Sequence, residues 1–228
     1  EMCIRDRNRL QNKLELLSGT FSMDTPNNIG IKTKPIYTEK CTTYIDIHDN
    51  TSFINENEFI WTSEKDGYNH IYLINYANGT EKQLTSGDWD VTEVYGYASQ
   101  SKKIFFQAAK SHPTKREIYA LYTKNNKIEL LTEKSGTNEA NFSKTFNYFI
   151  NTHSSADTPF EITLHNQKGK LVKTLEKNEV LKNKLLEFNL TNKEFFTIPN
   201  EEGILLNAWM IKPKPVSYTH LRAHETPC

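Results

Sequence analysis

The stretch FIWTSEKDGYNHIYL, Phe59 to Leu73, decides how the chain is read. Phe59, Ile60 and Trp61 form an apolar run, and Glu64 to Gly67 form a polar turn. From His70 onward the residues alternate. His70, Tyr72 and Ile74 face one way while Ile71 and Leu73 face the other, the period of two that a strand requires. Two strands around a turn make a hairpin, and this turn also gathers Ser63, Glu64, Asp66 and His70. A hydrolytic triad needs a base within hydrogen-bond reach of its nucleophile, a third group orienting that base, and oxyanion donors. The hairpin brings Ser63 near His70, but charged residues also solvate any turn. The expectation is therefore structural: Glu64, Lys65 and Asp66 face water and His70 contacts a strand neighbour.

The same pattern recurs. IFFQAAKSHPTKREIYALYTKNNKIELLT from Ile104 and YFINTHSSADTPFEITLHNQKGKLVKTL from Tyr148 each repeat an apolar strand, a polar turn, an alternating strand, a tight turn and a short strand. Ile71, Ile118 and Ile162 are equivalent at intervals of 47 and 44, and Leu84, Leu131 and Leu175 keep the same two intervals. A further strand is expected before each unit: TYIDI at Thr43, VTEVYGY at Val91 and ANFS at Ala140. Asp66-Gly67, Asn78-Gly79, Asn125-Asn126 and Lys168-Gly169 supply turn chemistry. Four short antiparallel strands at this spacing are the mark of a β-propeller blade, which cannot cover both its own faces and must stack on neighbours. The expected fold is all-β: a partial propeller of three complete blades, with residues 8–40 as the end of an earlier one.

After Leu175 the pattern changes. NEVLKNKLLEFNL contains a helical or irregular piece, and KEFFTIPNEEGILLNAWMIKP reads as a separate hairpin turning at Asn200 to Gly203. The opening EMCIRDR and the closing VSYTHLRAHETPC fit no pattern in the adjoining chain, and resemble translated sequencing-adapter sequence. Residues 1–7 and 216–228 are accordingly set apart as artefact. Residues 8–185 are assigned to the partial propeller and 186–215 to the linker and hairpin.

Composition narrows the function. The 28 basic and 28 acidic residues balance, which gives no electrostatic reason to expect nucleic acid or an anionic membrane as partner. No apolar run reaches the roughly 18 residues of a spanning helix. Apart from Cys3 and Cys228 in the excluded ends, Cys41 stands alone, so no internal disulfide is expected. His48, His70, His112, His153 and His165 show no metal-ligand spacing, and no cofactor is expected. In GDWDV, Trp89 is expected to plug the space between blades while Asp88 and Asp90 bond turn amides. Lys115 and Arg116 read as a solvated corner. The N-x-S/T sequons at Asn50, Asn78, Asn141 and Asn189 fall where Asn and Thr are ordinary turn residues.

FIWTSEKDGYNHIYL, QLTSGDWDVTEVYGY, REIYAL and LLNAWMIKPKP together resemble the dipeptidyl peptidase IV and prolyl tripeptidyl peptidase group of the prolyl oligopeptidase family, in its Bacteroidetes type. The resemblance implies an eight-bladed N-terminal propeller followed by an α/β-hydrolase domain with a Ser-Asp-His triad, this chain holding the later blades and the first hairpin into that domain. It implies a parent prolyl-specific serine exopeptidase that releases di- or tripeptides from the amino termini of short peptides, its propeller limiting access and helping to position substrate. It also implies export to the periplasm or secretion, and in relatives often a homodimer. No G-x-S-x-G nucleophile elbow occurs here, so no catalytic residue is assigned and the chain alone is expected to be inert. The family's glutamate pair for the substrate amino terminus is not carried over, because Glu201-Glu202 lies inside the hairpin. The loop YIDIHDNT, Tyr44 to Thr51, falls where mammalian relatives place an aromatic and arginines near the substrate. This sequence is read as having neither there, which leaves Asp46 and His48 as substrate-proximal candidates. A non-catalytic binding propeller and an inactive peptidase homologue are the alternatives.

Overall fold

The computed structural model describes residues 2–25, 28–188 and 190–212. An N-terminal sheet of order β1-β2-β3 comprises β1 (Met2–Arg7), β2 (Lys13–Thr25) and β3 (Asn28–Lys40). The first blade is the meander β4 (Ser52–Phe53), β5 (Glu58–Ser63), β6 (His70–Asn75), β7 (Thr80–Gln83). The second is β8 (Val91–Ala98), β9 (Lys103–Ala108), β10 (Glu117–Tyr122), β11 (Ile128–Leu130), and the third β12 (Thr137–Phe142), β13 (Tyr148–Ser155), β14 (Thr158–Asn166), β15 (Leu171–Glu176). Helix α1 (Glu179–Glu187) follows, then an antiparallel hairpin of β16 (Glu194–Pro199) and β17 (Leu205–Met210). The architecture is a partial all-β propeller.

The blades stack because their second and third strands are apolar on both faces. Leu14 and Leu16 of the N-terminal sheet pack on Phe59, Trp61, Tyr72 and Ile74 of the first blade. Ile60 and Ile71 point the other way, onto Val91, Ile104 and Phe106 of the second blade. Phe105 and Ile118 repeat that role one blade later, meeting Phe149 of the third. This is why FIW and IFF are continuous runs rather than alternating ones. Each of these fully buried side chains contributes about 1.5–3 kcal/mol relative to exposure.

The repeat extends to hydrogen bonds. Leu84 N donates to Ile71 O, and Leu131 N to Ile118 O, each at 2.8 Å. The next residue, a threonine in both blades, accepts from the strand amide opposite: Ile71 N to Thr85 Oγ1 at 2.9 Å and Ile118 N to Thr132 Oγ1 at 3.2 Å. Trp89 plugs the interface as expected, stacked 6.3 Å from Phe106, while Asp90 Oδ1 accepts from Asn69 N at 2.8 Å.

One expected element differs. Thr43–Ile47 is not a strand, and the inner strand of the first blade is only Ser52–Phe53. One distant and one local bond hold the segment off the sheet: Ile45 N donates to Gln11 O and Ile47 N to Asp46 Oδ1, each at 2.8 Å. The first seven residues, set apart in the sequence reading, contain β1, paired to β2 from Met2↔Gly19 to Arg7↔Leu14. Residues 216–228 and Asn189 lie outside the described residues.

Candidate functional site

In every blade the inner strand begins at the end where the second strand hands over to the third. The segment 41–51, the loops 64–69, 109–116 and 133–136, and the β13–β14 turn therefore share one end of the stack. Backbone bonds lace neighbours together there: Val91 N to Asn69 O at 2.8 Å, Arg116 N to Gly136 O and Asn138 N to Arg116 O at 2.9 Å. These segments form one rim of the stack.

Ser63 and His70 do stand directly opposite each other on β5 and β6. Their polar atoms are committed elsewhere. The Ser63 hydroxyl donates to Glu39 on β3, and Ser63 Oγ accepts from Lys65 N at 3.2 Å. His70 is fully buried, with Nε2 2.9 Å from Gly87 O and Nδ1 3.1 Å from Thr85 Oγ1. A carbonyl only accepts, so Nε2 carries the proton and Nδ1 accepts the threonine hydroxyl. Asp66 accepts from Gln83 Nε2 and lies 4.0 Å from His70 Nε2. With both ring nitrogens engaged, His70 has no free lone pair with which to take a proton from a serine. The cluster joins the first blade to the N-terminal sheet and to the loop before β8.

The candidates Asp46 and His48 sit on the rim beside it. Asp46 is exposed and bonds its own following amide. His48 is half-buried, its ring 4.3 Å from Trp61, its Nε2 donating to Thr62 O at 2.7 Å and its Nδ1 accepting from Asn50 N. Burial lowers its pKa, so the ring is neutral near pH 7. The structure brings the two residues to one loop, not to one another.

The reading that this loop has neither an aromatic nor an arginine is corrected here. Tyr44 lies 5.4 Å beneath the Arg7 guanidinium, which also donates to Tyr44 Oη at 3.1 Å and Ile45 O at 3.0 Å. Arg5 reaches His48 O and the Asp49 carboxylate. Both arginines come from β1, 37 to 44 residues away in sequence, so nothing inside YIDIHDNT signals them. They also belong to the stretch set apart as artefact.

Farther round the rim the hairpin β16–β17 stands over the third blade and leaves a cleft of about 750 Å³, bordered by His112, Lys115, Asp157, Phe195 and Trp209. A wider space of about 1280 Å³ continues under α1, past Phe160, Leu181 and Leu190. Phe195 and Trp209 are 61 % and 58 % exposed, so the hairpin presents aromatic surface, with Lys193 Nζ 4.7 Å from the Trp209 ring centroid. At the floor, Glu161 accepts from Lys134 and from Lys182. Sequence reasoning missed this carboxylate, although it occupies the place of His70 and Glu117 in the earlier blades. Among the described residues no group of three His, Cys, Asp or Glu side chains is placed to hold a metal ion. No described helix is long and apolar enough to cross a membrane.

The model of the dipeptidyl peptidase IV N-terminal region matches residues 1–160, more than half the chain. The chain belongs to this family. Dipeptidyl peptidase 4 of Trichophyton equinum is 31 % identical over 152 residues, covering 65 % of this chain and 20 % of the relative. That of Arthroderma otae is 30 % identical over 158 residues, covering 68 % and 20 %. Among solved structures, Porphyromonas gingivalis dipeptidyl peptidase 4 superposes with a TM-score of 0.82 at 33 % identity, over 92 % of this chain and 29 % of that one. A putative dipeptidyl aminopeptidase IV from Bacteroides ovatus gives 0.75 at 25 % identity, over 92 % and 32 %. The chain thus spans about one fifth of the curated relatives it matches. The P. gingivalis match leaves out less than a tenth of the chain, so it runs past the family model's last residue into the segment holding α1 and the hairpin.

Proposed function

We propose that this chain is the later-blade portion of a serine exopeptidase that removes di- or tripeptides from peptide amino termini. The blades roof the cavity and limit substrates to short peptides, and a hydrolase domain beyond the hairpin supplies the nucleophile. The observation that carries the reading is the superposition on P. gingivalis dipeptidyl peptidase 4, which continues beyond the blades toward the hairpin. An exposed aromatic hairpin agrees with it, since a two-stranded ribbon is marginal in water without a packing partner. Asp46 and His48 lie at the rim end that carries the hairpin, and their proposed part is to face the bound peptide. In this reading the parent is exported to the periplasm or secreted and pairs with a second copy.

The test is to recover the unbroken parent gene, express its full product and assay chromogenic dipeptides and tripeptides with proline before the cleaved bond. Hydrolysis that a serine-directed phosphonate abolishes supports the proposal. A full-length product that hydrolyses neither series is a binding propeller or an inactive homologue, and overturns it. For the rim residues, Asp46→Asn raises KM with kcat little changed if Asp46 faces the peptide; an unchanged KM removes it.

A further inference from the structure

Helix α1 poses a physical problem. It fully buries none of its residues, and Leu185 alone of its leucines is half-buried, so the apolar packing that holds most helices in place is slight. A nine-residue helix on its own frays in water. What ties it down is polar, and it converges on one side chain of the third blade.

Glu161 is 8 % exposed and stands at the start of β14, opposite His153. Its Oε1 accepts from Lys182 Nζ of α1 at 2.7 Å, and its Oε2 accepts from Lys134 of the loop before β12. A second bond supports the same junction, from Asn178 Nδ2, just before α1, to Phe160 O. The equivalent positions show what is new. His70 and Glu117 each stand opposite the last paired residue of the second strand, and each is buried. His70 bonds Thr85 and Gly87 in the connection to the next blade, and Glu117 accepts from Tyr119 Oη at 2.5 Å within its own strand. In the third blade the chain turns into a helix rather than a further blade, and the same buried polar position is redeployed to grip it.

We propose that Glu161, clamped between Lys134 and Lys182, is the pin of a salt-sensitive latch that fixes α1 against the last blade and thereby sets the width of the space under the helix, which all three residues line. The latch depends on ion pairs whose lysines are partly solvated, so added salt weakens it far more than it weakens the apolar blade interfaces.

The experiment is hydrogen exchange on the 228-residue chain, read separately for peptides over α1 and over β13, at about 20 mM and about 500 mM NaCl, where screening shortens from tens of ångströms to a few. The wild-type α1 peptide is expected to exchange roughly fivefold faster at high salt, with β13 unchanged. Glu161→Gln at low salt is expected to match wild type at high salt and to show no further salt response. Should Glu161→Gln also speed exchange in β13, Lys182→Met decides, because it removes the helix side of the clamp and leaves the Lys134 pair in the blade. An α1 peptide that exchanges alike in wild type and Lys182→Met, at both salt concentrations, overturns the proposal.

Discussion

Trp61 Nε1 donates to Glu39 Oε2 at 2.7 Å, from the first blade to the N-terminal sheet. The other Glu39 oxygen accepts from Ser63, so one buried carboxylate serves two donors of the neighbouring sheet. Removing it leaves an indole N–H and a hydroxyl unsatisfied where water does not reach. Each such group costs about 1–3 kcal/mol. Glu39→Ala is expected to lower the urea-unfolding free energy by about 2–4 kcal/mol, and Glu39→Gln, which keeps one acceptor, by less. In a Trp61→Phe background the Glu39→Ala loss should shrink by about 1 kcal/mol or more, because one of the stranded donors is already gone. Strictly additive losses would show that the bond carries no energy.

The same carboxylate bears on what Ser63 can do. Ser63 stands opposite a histidine whose two nitrogens are both engaged, and the Glu39 carboxylate that accepts its proton is itself buried and tied to Trp61, so no Ser-His pair forms. The 228-residue chain is expected to resist a fluorophosphonate probe under conditions that label a serine hydrolase fully. An adduct on Ser63, located by peptide mass, would refute the geometry described for this cluster.

Much of this was legible in the sequence, and the reasons are specific. Ile71 and Ile118 recur because each packs on the neighbouring blade from a third strand, so the packing demand prints a period that Ile162 continues in sequence. The loop 43–47 misleads because TYIDI alternates like a strand, while the forces that hold it out, Ile45 N to Gln11 O and the Asp46 side chain on Ile47 N, involve one partner far away and one too local to set a period. The Arg7–Tyr44 contact is invisible for the first of those reasons. Glu161 was readable in principle, since its spacing from Glu117 and His70 is that of the repeat. Polar residues of three different partnerships, however, do not look alike in sequence.

Gly169 sits at the β14–β15 turn with φ 80°, and a β-carbon there would lie 2.5 Å from Leu131 O of the second blade. Gly79, with φ 71°, has the same backbone demand but open space around it. Both alanine substitutions incur the positive-φ penalty of about 1 kcal/mol. Only Gly169→Ala must also push apart two blades along a backbone contact. Gly169→Ala is expected to destabilise the chain by at least about 1 kcal/mol more than Gly79→Ala, read as the difference in urea midpoints. Equal losses would mean the blades yield there without cost.

The Glu161 clamp makes a prediction in pH with a definite sign. Hydrogen bonding from Lys134 first, then from Lys182, holds its carboxyl down to about 2, against an ordinary value of 4.5. A carboxylate depressed in the folded state contributes stability that is complete above its unfolded value and is lost as pH falls through the folded one. Wild type and Glu161→Gln should therefore differ by a constant amount from neutral pH down to about 5, and converge between about 4.5 and 2. Glu161 raises the pKa of Lys182, which therefore stays protonated and adds no slope of its own in this window. Urea midpoints for the two chains at half-unit steps of pH supply the comparison. A gap that widens toward acid, or that closes above pH 6, would place the titrating group somewhere other than Glu161.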